Sequence, residues 1–152
     1  MMFYKSLFLQ LLFFPLLINA AVITVYIAIY DVLDSRDPNH WAIYLDGERD
    51  VILQVGDDIG GVGYFVEQPI YNKKPQRSSR HKESIAVGSI SSNKFNDAIA
   101  AIQNTPVDNN SNTWNCQAWA IEALDTLSDA GLFNWQRGKK QTLQAKRQNW
   151  QK

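Results

Sequence analysis

The stretch His40–Val55, HWAIYLDGERDVILQV, holds two short apolar runs joined by a polar connection. HWAIYL and VILQV are rich in β-branched and aromatic residues and read as strands. The connection DGERD carries Asp46-Gly47, a dipeptide typical of hairpin turns. Side chains alternate along a strand, so His40, Ala42 and Tyr44 share a face, as do Ile52 and Gln54 on the next run. Pairing Tyr44 with Asp50 sets His40 opposite Gln54. A slip of two residues leaves the pair diagonal on one face, whereas a slip of one separates it. Gln54 interrupts an otherwise apolar run. Its carbonyl can accept a ring N–H from His40, or it is simply the polar residue of a half-exposed strand.

Upstream, VITVYIAIY over residues 22–30 is apolar on both faces and reads as a central strand. Downstream, DDIGGVG is a glycine-rich turn. It departs from the dinucleotide fingerprint and has no βαβ unit around it, so Asp57 and Asp58 read as solvated acids. YFVEQPIY is a further strand, limited by Pro69. NKKPQRSSRHKE is a polar, basic loop, and SIAVGSI another strand. Ser91 or Ser92 is placed to cap a helix over NKFNDAIAAIQ, where Phe95, Ile99 and Ile102 form an apolar stripe. After the loop NTPVDNNSNT, a second helix is expected from Asn115 to Ala130. Ala120, Leu124 and Leu127 lie along one of its faces, and Gly131 stops it. The fold class is therefore α+β, with a largely antiparallel sheet and two main helices.

The length, 152 residues, points to one domain. Fifteen basic and fifteen acidic residues cancel, which removes any global field for nucleic acid. From Asn134 to Lys152, however, Arg137, Lys139, Lys140, Lys146, Arg147 and Lys152 have no acid among them, and residues 134–152 read as a solvated basic tail. The first twenty residues have Lys5, then SLFLQLLFFPLLI, then the small residues of NAA. That order is the grammar of a secretory signal, residues 1–20, removed at Ala20 or Ala21 to leave a domain over 22–133. The rival is a membrane anchor running on to Tyr30, though Pro15, Asn19 and Thr24 interrupt it. Asn109-Asn110-Ser111 is a glycosylation sequon that suits a secreted surface loop.

Cys116 is the sole cysteine, in TWNCQAW at the boundary between a loop and a helix. It cannot form an internal disulfide. With only two histidines in the chain it cannot belong to a structural zinc cluster either. Neither a metal nor a cofactor is expected. A lone cysteine in a secreted chain is an intermolecular bridge, a buried filler or a free reactive thiol. The positive end of a helix favours a thiolate, and full activation needs a base, usually imidazole. His81 lies among cations in RSSRHKE and reads as a surface residue. His40, at a strand start after a loop, is placed to project into a cleft, and Gln54 is the candidate third group that orients it.

This order is similar to a known one. HWAIYL, a polar residue on the next strand, then Asn115-Cys116-Gln117-Ala118-Trp119 opening a helix resemble the NlpC-like permuted papain-fold superfamily. Within it the chain looks most like the lecithin:retinol acyltransferase-like branch. It is closer still to a group of small fungal proteins with HWA early and NCQ-x-W late. The resemblance spans about residues 23–132 and implies a permuted papain-like fold in which the histidine strand precedes the cysteine helix. It implies Cys116 as nucleophile and His40 as base. Gln54 stands where the branch often has histidine, and Ala118 stands where its NC-x-H pattern has histidine, so retinoid or phospholipid acyl transfer is not implied. The expected function is a secreted thiol hydrolase or acyltransferase acting on a peptide, a cell-wall amide or an acyl ester. A membrane is involved only if the N-terminal segment is uncleaved. The alternative is a non-catalytic secreted effector or binding module of the same fold.

Overall fold

The computed structural model describes residues 20–57 and 63–151. Residues 1–19, read as a signal or an anchor, and residues 58–62 of the glycine-rich turn lie outside them. A six-stranded sheet of order β6-β3-β2-β1-β7-β8 forms the frame, and all of its pairings are antiparallel. Its strands are β1 (Val22–Tyr30), β2 (His40–Asp46), β3 (Val51–Leu53), β6 (Ile70–Tyr71), β7 (His81–Ser91) and β8 (Asn134–Trp135). A smaller sheet pairs β4 (Val55–Asp57) with β5 (Tyr64–Val66). Helices α1 (Phe95–Gln103), α2 (Cys116–Asp129) and α3 (Lys139–Lys146) complete the chain, making it α+β. Among the described residues no helix is long and apolar enough to cross a membrane.

The sheet separates two unequal cores because its side chains alternate. Val25, Ile27, Ile29, Trp41, Ile43 and Leu45 pack in the large core with Trp119, Leu124 and Leu127 of α2. Ala28, Ala42, Tyr44 and Ile52 form a small cluster on the other face, covered by Tyr26, Tyr30 and Ile70. Strand β1 is central, between β2 and β7, and contributes to both.

Three runs depart from the sequence reading. VILQV is not one strand, because it breaks at Gln54, where the chain leaves the main sheet for the small one. YFVEQPIY likewise splits into β5 and β6 around Gln68 and Pro69, since proline has no N–H for a ladder. Neither Ser91 nor Ser92 caps α1 with its side chain. A 3₁₀ turn over Ser92–Lys94 leads into that helix instead.

The basic stretch 134–152 is not a free tail. Strand β8 adds to β7, with Gly88 opposite Trp135. A Cβ on Gly88 would run into the Asn134 carbonyl oxygen and the Phe133 ring, so glycine permits this close crossing. Helix α3 then places Leu143, fully buried, in the large core. Two of its cations find acids on other elements. Lys140 pairs with Asp125 of α2 at 2.8 Å and Lys146 with Glu83 of β7 at 2.7 Å. These ion pairs are half-exposed and contribute little, so the buried leucine and the strand ladder hold the segment.

Candidate active site

Helix α2 begins at Cys116 because Asn115 caps it. The Asn115 carboxamide oxygen accepts from the backbone N–H of Gln117 at 3.0 Å and of Ala118 at 3.3 Å. The Trp119 N–H goes to the Asn115 carbonyl. The Cys116 N–H has no acceptor among the described residues. At its far end α2 stops on Gly131, whose φ of 69° is left-handed. Gly131 N–H bonds to Ser128 O and Leu132 N–H to Leu127 O, a Schellman closure.

Strand β2 delivers His40 to the same end of the sheet. The hairpin pairs Tyr44 with Ile52 rather than with Asp50, a difference of two residues from the expected register. Parity is preserved, so His40 and Gln54 still share a face and lie on the diagonal. The His40 Nε2 and Gln54 Oε1 atoms are 3.0 Å apart. Gln54 Nε2 in turn donates to Glu67 Oε2 at 2.5 Å, across the small hairpin where Glu67 N–H also bonds Gln54 O at 3.0 Å.

This chain of bonds assigns the tautomer. A carboxylate only accepts, so Glu67 must face the Gln54 NH₂ group. The Gln54 carbonyl then points to His40, whose Nε2 must carry the proton it donates. Nδ1 is left as the acceptor nitrogen of the neutral ring. Burial works against charge on His40. Contact with the Cys116 sulfur, the charge on that sulfur, the Gln54 carbonyl and the Glu67 carboxylate outweigh it, and hold the imidazole pKa above its ordinary value. Tyr30 packs on the ring at 5.9 Å between centroids, and burial pushes its phenol up to about 12. Tyr64 is also within electrostatic reach of the sulfur. Burial first, then the charge of Cys116, with Asp57 and Asp37 further contributors, raises its pKa, so it is a neutral donor. His81 meets this cluster only through Tyr30, against which it packs edge-on at 5.8 Å between centroids, and its Nε2 is 2.8 Å from Ser84 Oγ.

A model of the family of unknown function DUF6540 matches residues 25–134. The chain belongs to that family. No curated protein and no solved structure matches it. The matched span holds His40, Gln54, Glu67 and Cys116 and stops before α3.

Beyond that span a second clamp closes on the site. Asn39 and Gln117 are the neighbours of His40 and Cys116, and Gln148, after α3, ties them together. Its Oε1 accepts from Asn39 N at 2.7 Å and from Gln117 Nε2 at 3.1 Å, and its own N–H donates to Gln117 Oε1 at 2.9 Å. Gln117 Nε2 also donates to Asn39 O at 2.9 Å, and the Cys116 thiol faces the same oxygen at 3.9 Å. Gln117 is fully buried, with each polar atom of its side chain engaged. Gln148→Ala removes an acceptor from this network and is expected to destabilise the fold by about 1–3 kcal/mol. Gln148→Glu keeps the acceptor oxygen and should retain most of that stability in urea denaturation. Equal losses in both variants would contradict the role given to the oxygen.

Sequence reasoning missed Glu67 and Gln148 because each meets the site only through tertiary contact. The sequon residue Asn109 also has a structural use, since its amide accepts from Tyr64 N at 2.7 Å and donates to Tyr64 O at 3.0 Å. Among the described residues no cluster of His, Cys, Asp and Glu could hold a metal ion.

Proposed function

We propose that this protein is a thiol hydrolase or acyltransferase of permuted papain-like architecture that cleaves an amide or an ester. The observation that carries the reading is the hydrogen-bonded run His40, Gln54, Glu67, set beside the Cys116 sulfur whose proximity raises the His40 pKa. His40 Nδ1 takes the thiol proton. The Cys116 sulfur attacks the carbonyl carbon, a C–S bond forms, and the oxyanion is met by the unpaired Cys116 N–H at the positive end of α2. The imidazolium, held by Gln54, returns its proton to the departing amine or alkoxide as the C–N or C–O bond breaks. Water or a second nucleophile then resolves the thioester with His40 as base.

The substrate in this reading is a peptide, a cell-wall amide or an acyl ester. Secretion is part of the proposal, resting on the order of charged, apolar and small residues at the N-terminus. An exported protein whose intact mass retains residues 1–18 would refute it. The test of the chemistry is a panel of acyl and peptidyl substrates assayed with wild type and Cys116→Ser. Turnover that disappears in the variant, with a thioester-linked intermediate in wild type, supports the reading. Turnover that persists in the variant removes it. One observation favours the alternative of a non-catalytic binding module, namely that Cys116 is only 5% exposed. In that case native wild type turns over no member of the panel.

A further inference from the structure

The basic stretch NKKPQRSSRHKE, a loop until β7 begins at His81, has no part in the thiol chemistry, yet it is folded against the candidate site. A depression of about 290 Å³ lies beside His40 and Gln54, on the face of the sheet away from α1 and α2. Ile52 and Ile70 give it an apolar floor, and Lys73 and Arg80 of the basic loop stand in its wall. Both cations are exposed, and neither has an acidic partner among the described residues. Asp31, the acid among the described lining residues, is already engaged with Lys82 at 3.2 Å. Tyr30, also in the wall, stays a neutral phenol at physiological pH. The depression therefore combines apolar walls with two uncommitted positive charges. His40 sits where β2 begins, so its ring borders both Cys116 and this space.

We propose that the depression selects substrates whose acyl or peptidyl part ends in a carboxylate, with a short apolar stem over Ile52 and Ile70 and the anion held by Lys73 and Arg80. The volume admits one branched side chain and its carboxylate rather than a long lipid chain. Two forked or ammonium cations match the two oxygens and single charge of that group. The inference rests on the thiol reading of Cys116 and adds the substrate class to it.

Affinity labelling separates the two. Bromoacetyl-leucine and bromoacetyl-leucinamide carry the same reactive carbon and apolar stem, and differ in the terminal charge. In each, the Cys116 sulfur displaces bromide, forming a C–S bond as the C–Br bond breaks. The ratio of acid to amide rates in the native protein should exceed that of the urea-unfolded chain. The same ratio should fall about fivefold in Lys73→Gln/Arg80→Gln, as suits two partly exposed ion pairs, and should fall in 1 M salt, where screening is short-ranged. The imidazolium favours the anion in both proteins, so the difference between them isolates the two cations. An unchanged ratio in the double variant, with the amide still labelling native Cys116, overturns the carboxylate site and leaves the thiol reading standing. A native Cys116 inert to both reagents overturns both.

Discussion

Trp119→Ala is expected to lower the free energy of unfolding by about 3–5 kcal/mol. Trp119 of α2 is fully buried in the large core with Val25, Ile27, Ile29, Trp41, Ile43 and Leu45 of the sheet. Its indole N–H donates to the Thr105 carbonyl at 3.3 Å. Truncation leaves a cavity and also strands a buried acceptor, so the transfer cost and the polar cost add. A small domain has about 5–15 kcal/mol in total, so this variant should lie close to its unfolding midpoint at modest urea. Urea denaturation measures it directly. A loss below about 1 kcal/mol, far from the range for a buried tryptophan, would mean that α2 does not pack as described, and the placement of Cys116 would fall with it.

His40→Ala should reduce turnover of any substrate found for this site by about 10²–10⁴-fold, the range for a positioned general base. The side chain is expected to act twice, first taking the thiol proton and then giving one to the leaving group. Because its neighbours hold the imidazolium above the usual histidine range, the wild-type rate should fall on the alkaline side at a pH above 6.5 rather than at it. Above that limb the ring is neutral and no proton remains for the leaving group. Gln54→Ala should cost less than His40→Ala, since it loosens the ring without removing it. Glu67→Gln adds a donor opposite the Gln54 amide and lets that amide turn over, so it should resemble Gln54→Ala. A His40→Ala protein within twofold of wild type would place the base elsewhere.

Much of the fold was legible because its signals are local. The continuous apolar run of β1 gave both its limits, 22–30, and its central place. Asn115 and Gly131 marked the ends of α2, because capping and left-handed closure depend on a few adjacent residues. The likeness of His40 and Gln54 in strand parity survived a register error of two, since side chains repeat every second residue. Other features were hidden. The break at Gln54 depends on the small β4–β5 hairpin, which no local pattern announces. The stretch from Asn134 looked like a free tail because its charge is one-signed, and the acids that answer Lys140 and Lys146 belong to α2 and β7. A single anchoring leucine, Leu143, is too weak a stripe to betray a docked helix. Glu67 and Gln148 reach the site across long stretches of chain, and only the folded molecule brings them there.

The central claim is that the Cys116 sulfur, though only 5% exposed, reacts in the folded protein with the His40 imidazole as its partner. A helix end alone contributes about 0.3–1 kcal/mol at an exposed position, less than a tenfold change in ionisation. Any larger activation must come from the imidazolium, the stronger effect in a partly buried cleft. The rate of alkylation of the native protein by iodoacetamide, followed across pH, tests this most directly. Folded wild type should alkylate readily through the neutral range, and His40→Ala should lose most of that rate. A protein that alkylates only after unfolding, or equally fast with and without His40, would make Cys116 a structural residue and contradict the account.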